Sequence, residues 1–303
     1  MDTADLQAEP SGKLLPRGRF ARLALGPPLA LLVLMSLPPT IGALLLAFRN
    51  VSLMSPGSRW VGFANFARML TDRRLHNALR ISLLWEVVTV AGAVVVAVLL
   101  SVLIFESIKG RARDVICLAL ILPILLPRVS AGLIWRFMYS PLMGVVNYPL
   151  QLVGLPPVEY LSQPGTALYA VAVVDIWQWG LFFAVIMLKL LETLPASPLE
   201  AARLDHASTW GVHWFVSLPM LRPALITMLF VKAVESLRSF DLIYTMTNGG
   251  PGIATETLDL YAYQTGIGMS GRISYAAAMS VLLLILSTIA FSVLWKRSQR
   301  WSA

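Results

Sequence analysis

Long apolar stretches separated by short polar segments make up most of this chain. A helix needs about 20 mostly apolar residues to cross the hydrocarbon core of a bilayer. Six stretches meet that length, namely residues 23–48, 82–105, 115–139, 167–191, 219–240 and 274–295. The pattern predicts an all-α polytopic membrane protein with about six transmembrane helices.

Composition agrees with that prediction. Of the 303 residues, 57% are apolar and only 13% are charged, and the mean hydropathy is +0.72, which is too apolar for a soluble domain. The net charge of +8 comes from short basic clusters between the apolar stretches. Clusters of this kind indicate contact with anionic lipid headgroups rather than with nucleic acid. The single cysteine, Cys117, excludes an intramolecular disulfide and predicts a packed thiol.

The distribution of Lys and Arg predicts how the helices are oriented. With the N-terminus in the cytoplasm, 13 basic residues lie inside, eight lie outside and three lie within the stretches. This orientation gives cytoplasmic tails at 1–22 and 296–303 around a transmembrane domain at 23–295. The first stretch is longer than the apolar core of a signal peptide, which has about 7–15 residues, so we expect it to be a retained span.

Three smaller features refine the prediction. Residues 60–70, WVGFANFARML, favour a short helix that lies either on the membrane surface or in an ordinary external loop. Residues 140–166 carry no Lys or Arg and are typical of a compact external connection. Pro123 and Pro127 interrupt the backbone hydrogen bonds of the third stretch and predict a bend there.

The polar segment between the fourth and fifth stretches, here called the 195–219 loop, has the pattern of two short helices. Ser197, Pro198 and Glu200 fit a capping box with proline at the first helical position, which predicts a helix start at Ser197. We expect a second helix to begin at Ser208 or Thr209 and to end before Pro219.

On physical grounds the 195–219 loop has two interpretations. It is either a structural connection between two spans or a protrusion that docks into a groove of another protein. One surface permits close backbone approach and is formed by Ala201, Ala202, Leu204 and Ala207. The residues left polar are Glu200, Arg203 and Asp205.

The same loop resembles the EAA loop of ABC importer permeases. That family's pattern is E-A-A, D-G-A, an aromatic residue and L-P, and this chain has Glu200-Ala201-Ala202, Asp205-His206-Ala207, Phe215 and Leu218-Pro219 at the same spacing. His206 stands where the family has glycine, a residue that adopts positive φ easily. The resemblance implies that Glu200, Ala201, Ala202, Asp205, His206, Ala207, Leu218 and Pro219 couple the chain to an ATPase subunit.

Further segments resemble the carbohydrate branch of these permeases, which includes those for maltose and glycerol phosphate. They are residues 135–147, Trp177-Gln178, residues 240–252 and Thr255-Glu256-Thr257. The Gly249-Gly250-Pro251 sequence resembles the first of the two permease types in such systems.

This resemblance implies import of a sugar or related polar solute across the cytoplasmic (inner) membrane by alternating access. The implied partners are a second permease subunit, two ATP-binding subunits and an extracytoplasmic solute-binding protein. The chain contains no G-x-x-x-x-G-K-[ST] sequence. We therefore expect no cofactor on this chain, with ATP and Mg on the ATPase subunits, and neither catalytic nor metal-binding residues.

Ionisable residues within or near the spans are costly in a bilayer and should face protein or water and pair. They are Glu86, Arg128, Arg136, Asp175, Lys232 and Glu235. Asp175 is expected to pair with Arg128 or Arg136. Aromatic faces and polar groups suit a sugar, so the candidate solute pathway comprises Trp177, Gln178, Asp175, Trp135, Arg128, Arg136 and Glu235. For Trp135 an interfacial anchor is the alternative.

Other functions remain open on the sequence. A secondary transporter would need its own coupling-ion site and usually inverted repeats of broken helices, which the six stretches do not display. A membrane enzyme is disfavoured because motifs such as H-E-x-x-H and G-x-S-x-G are absent. A permease for a non-carbohydrate solute is a further alternative.

Overall fold

The computed structural model describes residues 17–205 and 208–302, most of which are helical. The helices, in chain order, are α1 (Arg17–Ala47), α2 (Ala64–Met69), α3 (Arg73–Ser107), α4 (Arg111–Leu125), α5 (Arg128–Met138), α6 (Tyr148–Leu152), α7 (Ala167–Glu192), α8 (Ala196–Leu204), α9 (Thr209–Val212), α10 (Leu218–Met220), α11 (Arg222–Ser236), α12 (Phe240–Met246), α13 (Leu258–Tyr263) and α14 (Ile273–Ser302). Strands β1 (Arg49–Ser52) and β2 (Ser55–Trp60) form an antiparallel hairpin, a 3₁₀ turn covers Val145–Asn147, and π-helical turns cover His213–Ser217 and Gln264–Gly268.

Among the described residues, four helices are long and apolar enough to cross a membrane. They correspond to α1, α3, α7 and α14, and two bent helix pairs raise the number of spans to six if each pair counts as one. One bent pair is α4 with α5, and the other is Thr209–Met220 with α11. The predicted helical polytopic fold is confirmed, although two of its six stretches are broken rather than continuous.

The third stretch, 115–139, contains the sharper of the two breaks. α4 ends at Leu125, α5 begins at Arg128, and their axes differ by 98°. Pro127 lies between them and lacks the N–H that would bond to the carbonyl of Pro123, so a continuous helix is disfavoured at this point. The bend expected from the prolines is present.

The centre of the bundle is the packing of α3 against α7. A Cβ at Gly180 would lie 3.0 Å from Val96 Cβ, so glycine at this position allows the two helices to approach closely. Farther along the same helices, Cys117 of α4 is buried with Ile104 and Leu188, as expected of a packed thiol.

The segment before α3 contains the predicted short helix, but the helix is shorter than residues 60–70. Within residues 60–70 only α2 is helical, and Trp60 belongs to β2. Gly62 has a φ of +55°, a left-handed conformation that separates the strand from the helix. Trp60 stacks on Phe48 with ring centroids 5.9 Å apart, which holds the hairpin against the end of α1.

A polar cluster joins the N-terminus of α3 to α13 and α14. The Asp72 carboxylate accepts hydrogen bonds from the hydroxyls of Tyr261 (2.8 Å) and Tyr275 (2.6 Å). Burial alone would raise the pKa of Asp72, but these hydrogen bonds and two from backbone N–H groups outweigh it and lower the pKa below its ordinary value. Beside it, Arg74 forms an ion pair at 2.6 Å with Glu256, whose side chain is buried.

Candidate functional site

The first helix of the 195–219 loop starts earlier than predicted. α8 begins at Ala196 after Pro195, and no side chain caps it, so the predicted capping box of Ser197 and Glu200 is wrong. Pro198 then lies in the first turn, where backbone N–H groups have no intrahelical acceptor and proline is tolerated. The start is therefore set by the backbone rather than by a side-chain cap.

The second helix starts as predicted but does not end where expected. Ser208 caps α9 by accepting a hydrogen bond from the Gly211 N–H at 3.1 Å. The helical path then continues through Met220, past the expected end before Pro219. A π-helical turn at His213–Ser217 precedes Pro219, and its wider hydrogen-bond spacing accommodates a residue that has no N–H to donate.

The described part of the 195–219 loop presents two kinds of surface. Glu200, Ala201, Asp205 and Pro219 are exposed, Ala202 and Leu218 are partly buried, and His206 and Ala207 lie outside the described residues. Large apolar side chains are also exposed, with Leu204 at 79%, Phe215 at 78% and Trp214 at 63%. The sequence interpretation stressed the alanines and missed the tryptophan at position 214, for which the apolar cluster W-x₃-WF was the available signal.

One acidic residue outside the loop holds it in place. The Glu106 carboxylate, near the end of α3, accepts a hydrogen bond from Arg203 at 2.6 Å and lies 2.8 Å from His213 Nε2. Sequence reasoning missed this contact because Glu106 and His213 are separated by 107 positions. Only the presence of an acid where the second stretch ends could have pointed to it.

A buried charge cluster lies beside the break between α4 and α5. The Asp175 Oδ1 atom accepts a hydrogen bond from Arg128 at 2.6 Å, and its Oδ2 atom lies 2.6 Å from Lys232 Nζ in an ion pair without hydrogen-bond geometry. Asp175 and Lys232 are fully buried. Arg128 also contacts Glu235 at 3.4 Å. The expected partner of Asp175 is therefore Arg128, joined by Lys232, which was expected to pair but was not named as a partner of Asp175.

Arg136, the alternative partner, lies elsewhere. Its side chain is exposed and donates a hydrogen bond to the carbonyl of Thr245 at 3.2 Å, so the suggested pairing of Arg136 with Asp175 is wrong. Asp175 lies on α7 and is reached by the first residue of α5, whereas Arg136 lies two turns farther along α5 toward its other end. α12, which packs on α5, is its neighbour there.

Gln178 has a structural task at the same break. Its side-chain amide donates to the carbonyls of Pro123 (2.9 Å) and Leu126 (3.1 Å). The bend deprives both carbonyls of ordinary helical partners, and Gln178, only 2% exposed, replaces them. Nearby, Trp135 and Trp177 meet edge to face with centroids 5.4 Å apart. The structure thus brings six candidate pathway residues to one region, with Arg136 apart.

A bent span with paired charges at its break, and an exposed helical loop at one end of the bundle, are typical of a membrane transport subunit. The chain belongs to the family described as binding-protein-dependent transport system inner membrane component, whose family model matches residues 93–301. It is therefore the permease subunit of a binding-protein-dependent importer, and a multi-pass protein of the inner membrane.

Relatives with assigned roles agree with the carbohydrate branch. The chain is 27% identical over 283 residues to the trehalose/maltose transport system permease protein MalF of Thermococcus litoralis, covering 93% of this chain and 94% of that protein. It is 30% identical over 275 residues to the sulfoquinovosyl glycerol transport system permease protein SmoG of Agrobacterium fabrum, covering 90% and 88%. The resemblance drawn from the sequence is confirmed at the level of the family and its carbohydrate branch.

Solved structures show the same fold. A bacterial ABC transporter involved in the import of the acidic polysaccharide alginate superposes with a TM-score of 0.81, at 21% identity, covering 94% of this chain and 96% of that one. The same kind of transporter in complex with an alginate pentasaccharide-bound periplasmic protein gives a TM-score of 0.80 at 20% identity, covering 94% and 95%.

Proposed function

We propose that this permease imports a sugar or a related polar solute, and that ATP hydrolysis by separate subunits drives it. The proposed complex contains this chain, a second permease subunit, two ATP-binding subunits with ATP and Mg, and an extracytoplasmic solute-binding protein. Both termini of the chain lie in the cytoplasm, so the 195–219 loop faces the ATP-binding subunits. The absence of a Walker A sequence supports the assignment of ATP to those subunits.

The observation that carries the proposal is the exposed surface of the 195–219 loop. Trp214 and Phe215 expose large apolar faces next to a helix that carries Glu200 and Ala201 at its surface. Contiguous apolar side chains with a polar rim mark protein–protein contacts. In the proposed complex this surface occupies a cleft of the ATPase, and cleft closure on ATP moves the loop and the spans.

A carbohydrate solute is supported by the names of the relatives and by the aromatic pair near the helix break. Trp135 and Trp177 provide flat faces that suit the C–H patches of a sugar ring. Glu235 retains 28% exposure of its side chain and can meet hydroxyl groups. We place the solute pathway beside these three residues, with Asp175, Arg128 and Gln178 fixing the geometry of the surrounding helices. Arg136 lies farther along α5, at the end that leads into residues 140–166.

Reconstitution tests the proposal directly. Proteoliposomes would contain this chain with the second permease and the ATPase subunits of its transport system, and the solute-binding protein would be added outside. We expect uptake of the solute that the binding protein binds only when ATP is present inside. Uptake by this chain alone in a proton or sodium gradient would establish a secondary transporter instead, and a non-carbohydrate ligand of the binding protein would refute the sugar assignment.

A further inference from the structure

One carboxylate joins the 195–219 loop to the transmembrane bundle at two points. Oε1 of Glu106 accepts a hydrogen bond from Arg203 of α8 at 2.6 Å, and the same oxygen lies 2.8 Å from Nε2 of His213 in the following π turn. Hydrogen bonds with an ionised partner are roughly twice as strong as neutral ones. Glu106 therefore connects both halves of the loop to the end of α3.

His213 is held in a fixed orientation by this contact. The ring is 1% exposed, its Nδ1 atom lies 3.0 Å from Ser217 Oγ, and the Phe105 ring meets it edge to face at 5.8 Å. A carboxylate can only accept, so Nε2 carries the proton that faces Glu106. Rotation of the ring would break both polar contacts, so displacement of the π turn must carry Glu106 along or break this link.

The end of α3 is in turn fixed to its neighbours. Arg113 of α4 donates to the carbonyls of Phe105 (2.8 Å) and Ile108 (2.7 Å), and it forms an ion pair with Glu192 at the end of α7 at 2.9 Å. A displacement of Glu106 therefore also displaces α4 and α7, which are bonded to this end of α3.

α3 connects this point with the opposite side of the protein. Its 35 residues span about 52 Å at a rise of about 1.5 Å per residue. Partway along, Trp85 Nε1 donates to the carbonyl of Ser236 at 3.1 Å, and Glu86 accepts a hydrogen bond from the Ser236 hydroxyl. These contacts tie α3 to the end of α11, the helix that carries Lys232 of the buried charge cluster.

We infer that Glu106 is a positioning residue of the transport cycle, through which displacement of the 195–219 loop is passed to α3 and onward to α11. The inference rests on the proposed function, because it assumes that an ATPase moves the loop. In this inference the loop moves α3 through the contacts of Glu106, and not only through the covalent connections of the loop at Pro195 and Pro219.

The test measures three quantities on the reconstituted complex: the ATPase that co-purifies with the chain, the rate of ATP hydrolysis, and the solute molecules imported per ATP. The variants are Glu106→Gln, Arg203→Gln and their combination. Asp114→Asn is the matched control, because it removes an exposed carboxylate that pairs with Lys189 at 3.8 Å at the same side of the bundle but has no contact to the loop among the described residues.

We expect Glu106→Gln to retain bound, hydrolysing ATPase while the import per ATP falls about ten-fold, the factor that corresponds to about 1.4 kcal/mol. Arg203 is exposed, so its replacement does not endanger folding, and Arg203→Gln should also lower the import per ATP. The import per ATP of the double variant should be no lower than that of Glu106→Gln. Asp114→Asn should match the wild type.

Two results would overturn the inference. Wild-type import per ATP in Glu106→Gln would show that the contact transmits nothing. Loss of the bound ATPase in Glu106→Gln would show that the carboxylate only shapes the docking surface. Failure of the wild-type chain to bind any ATPase would instead refute the proposed function, so the two failures are distinguishable.

Discussion

Replacement of Gln178 by leucine should destabilise the protein, because its side-chain amide stands in for backbone donors that the break between α4 and α5 removes. Within the described ranges Leu126 O accepts no hydrogen bond except the one from Gln178, whereas Pro123 O also accepts the Leu126 N–H at 3.3 Å. An unsatisfied buried carbonyl costs about 1–3 kcal/mol, and a lost second hydrogen bond costs about 1 kcal/mol. The expected loss for Gln178→Leu is therefore about 2–4 kcal/mol.

The assay is reversible unfolding of the purified full chain in mixed micelles, with the free energy of unfolding compared between variants. Gln151→Leu is the matched control, since Gln151 is exposed and makes one long hydrogen bond of 3.4 Å to Pro141 O, and it should change stability by less than about 0.5 kcal/mol. An unchanged stability of Gln178→Leu would refute the account of the break. A normal stability with impaired import would assign Gln178 to the solute instead.

Three further predictions concern other parts of the molecule. Asp175→Asn leaves Arg128 and Lys232 without their shared carboxylate, so the free energy of unfolding should fall by about 3–5 kcal/mol, measured in the same micelles. Asp72→Asn should be less stable than the wild type at pH 7. Because the native pKa of Asp72 is lowered, the difference in melting temperature between the two proteins should shrink as the pH falls through that pKa. A difference in melting temperature that stays constant with pH would contradict this prediction. Phe215→Asp should reduce co-purification of the ATPase without changing the amount of inserted chain, because it places a charge in the apolar docking surface.

Local features of the fold were predictable from the sequence. Apolar stretches of about 20 residues identify spans because the bilayer sets their length, and Pro127 predicts the break because it lacks an N–H. Ser208 was recognisable as a helix cap, since a hydroxyl just before a helical pattern can accept a hydrogen bond from a backbone N–H that has no partner in the helix. Each of these signals depends on residues that are neighbours in sequence.

The misses depend on contacts between distant parts of the chain. Neither the pairing of Lys232 with Asp175 nor that of Glu106 with His213 follows from local pattern, because the spans could pack in many registers. The capping box at Ser197 failed for a different reason, since helix starts at Ala196 and at Pro198 differ by little free energy, and Pro198 fits the first turn of both. Tertiary packing decided between such alternatives.

The proposed docking of the 195–219 loop with an ATPase subunit is the step on which ATP-driven import depends. It is tested by the amount of ATPase that co-purifies from membranes with the wild-type chain, with Ala201→Trp in the loop and with Ala64→Trp at an exposed position of α2, beside the start of α3 and away from the loop. Bulk at Ala201 should block close approach, so the ATPase should be lost with Ala201→Trp and retained with Ala64→Trp at equal amounts of inserted chain. Retention of the ATPase by Ala201→Trp at the wild-type level would contradict the claim.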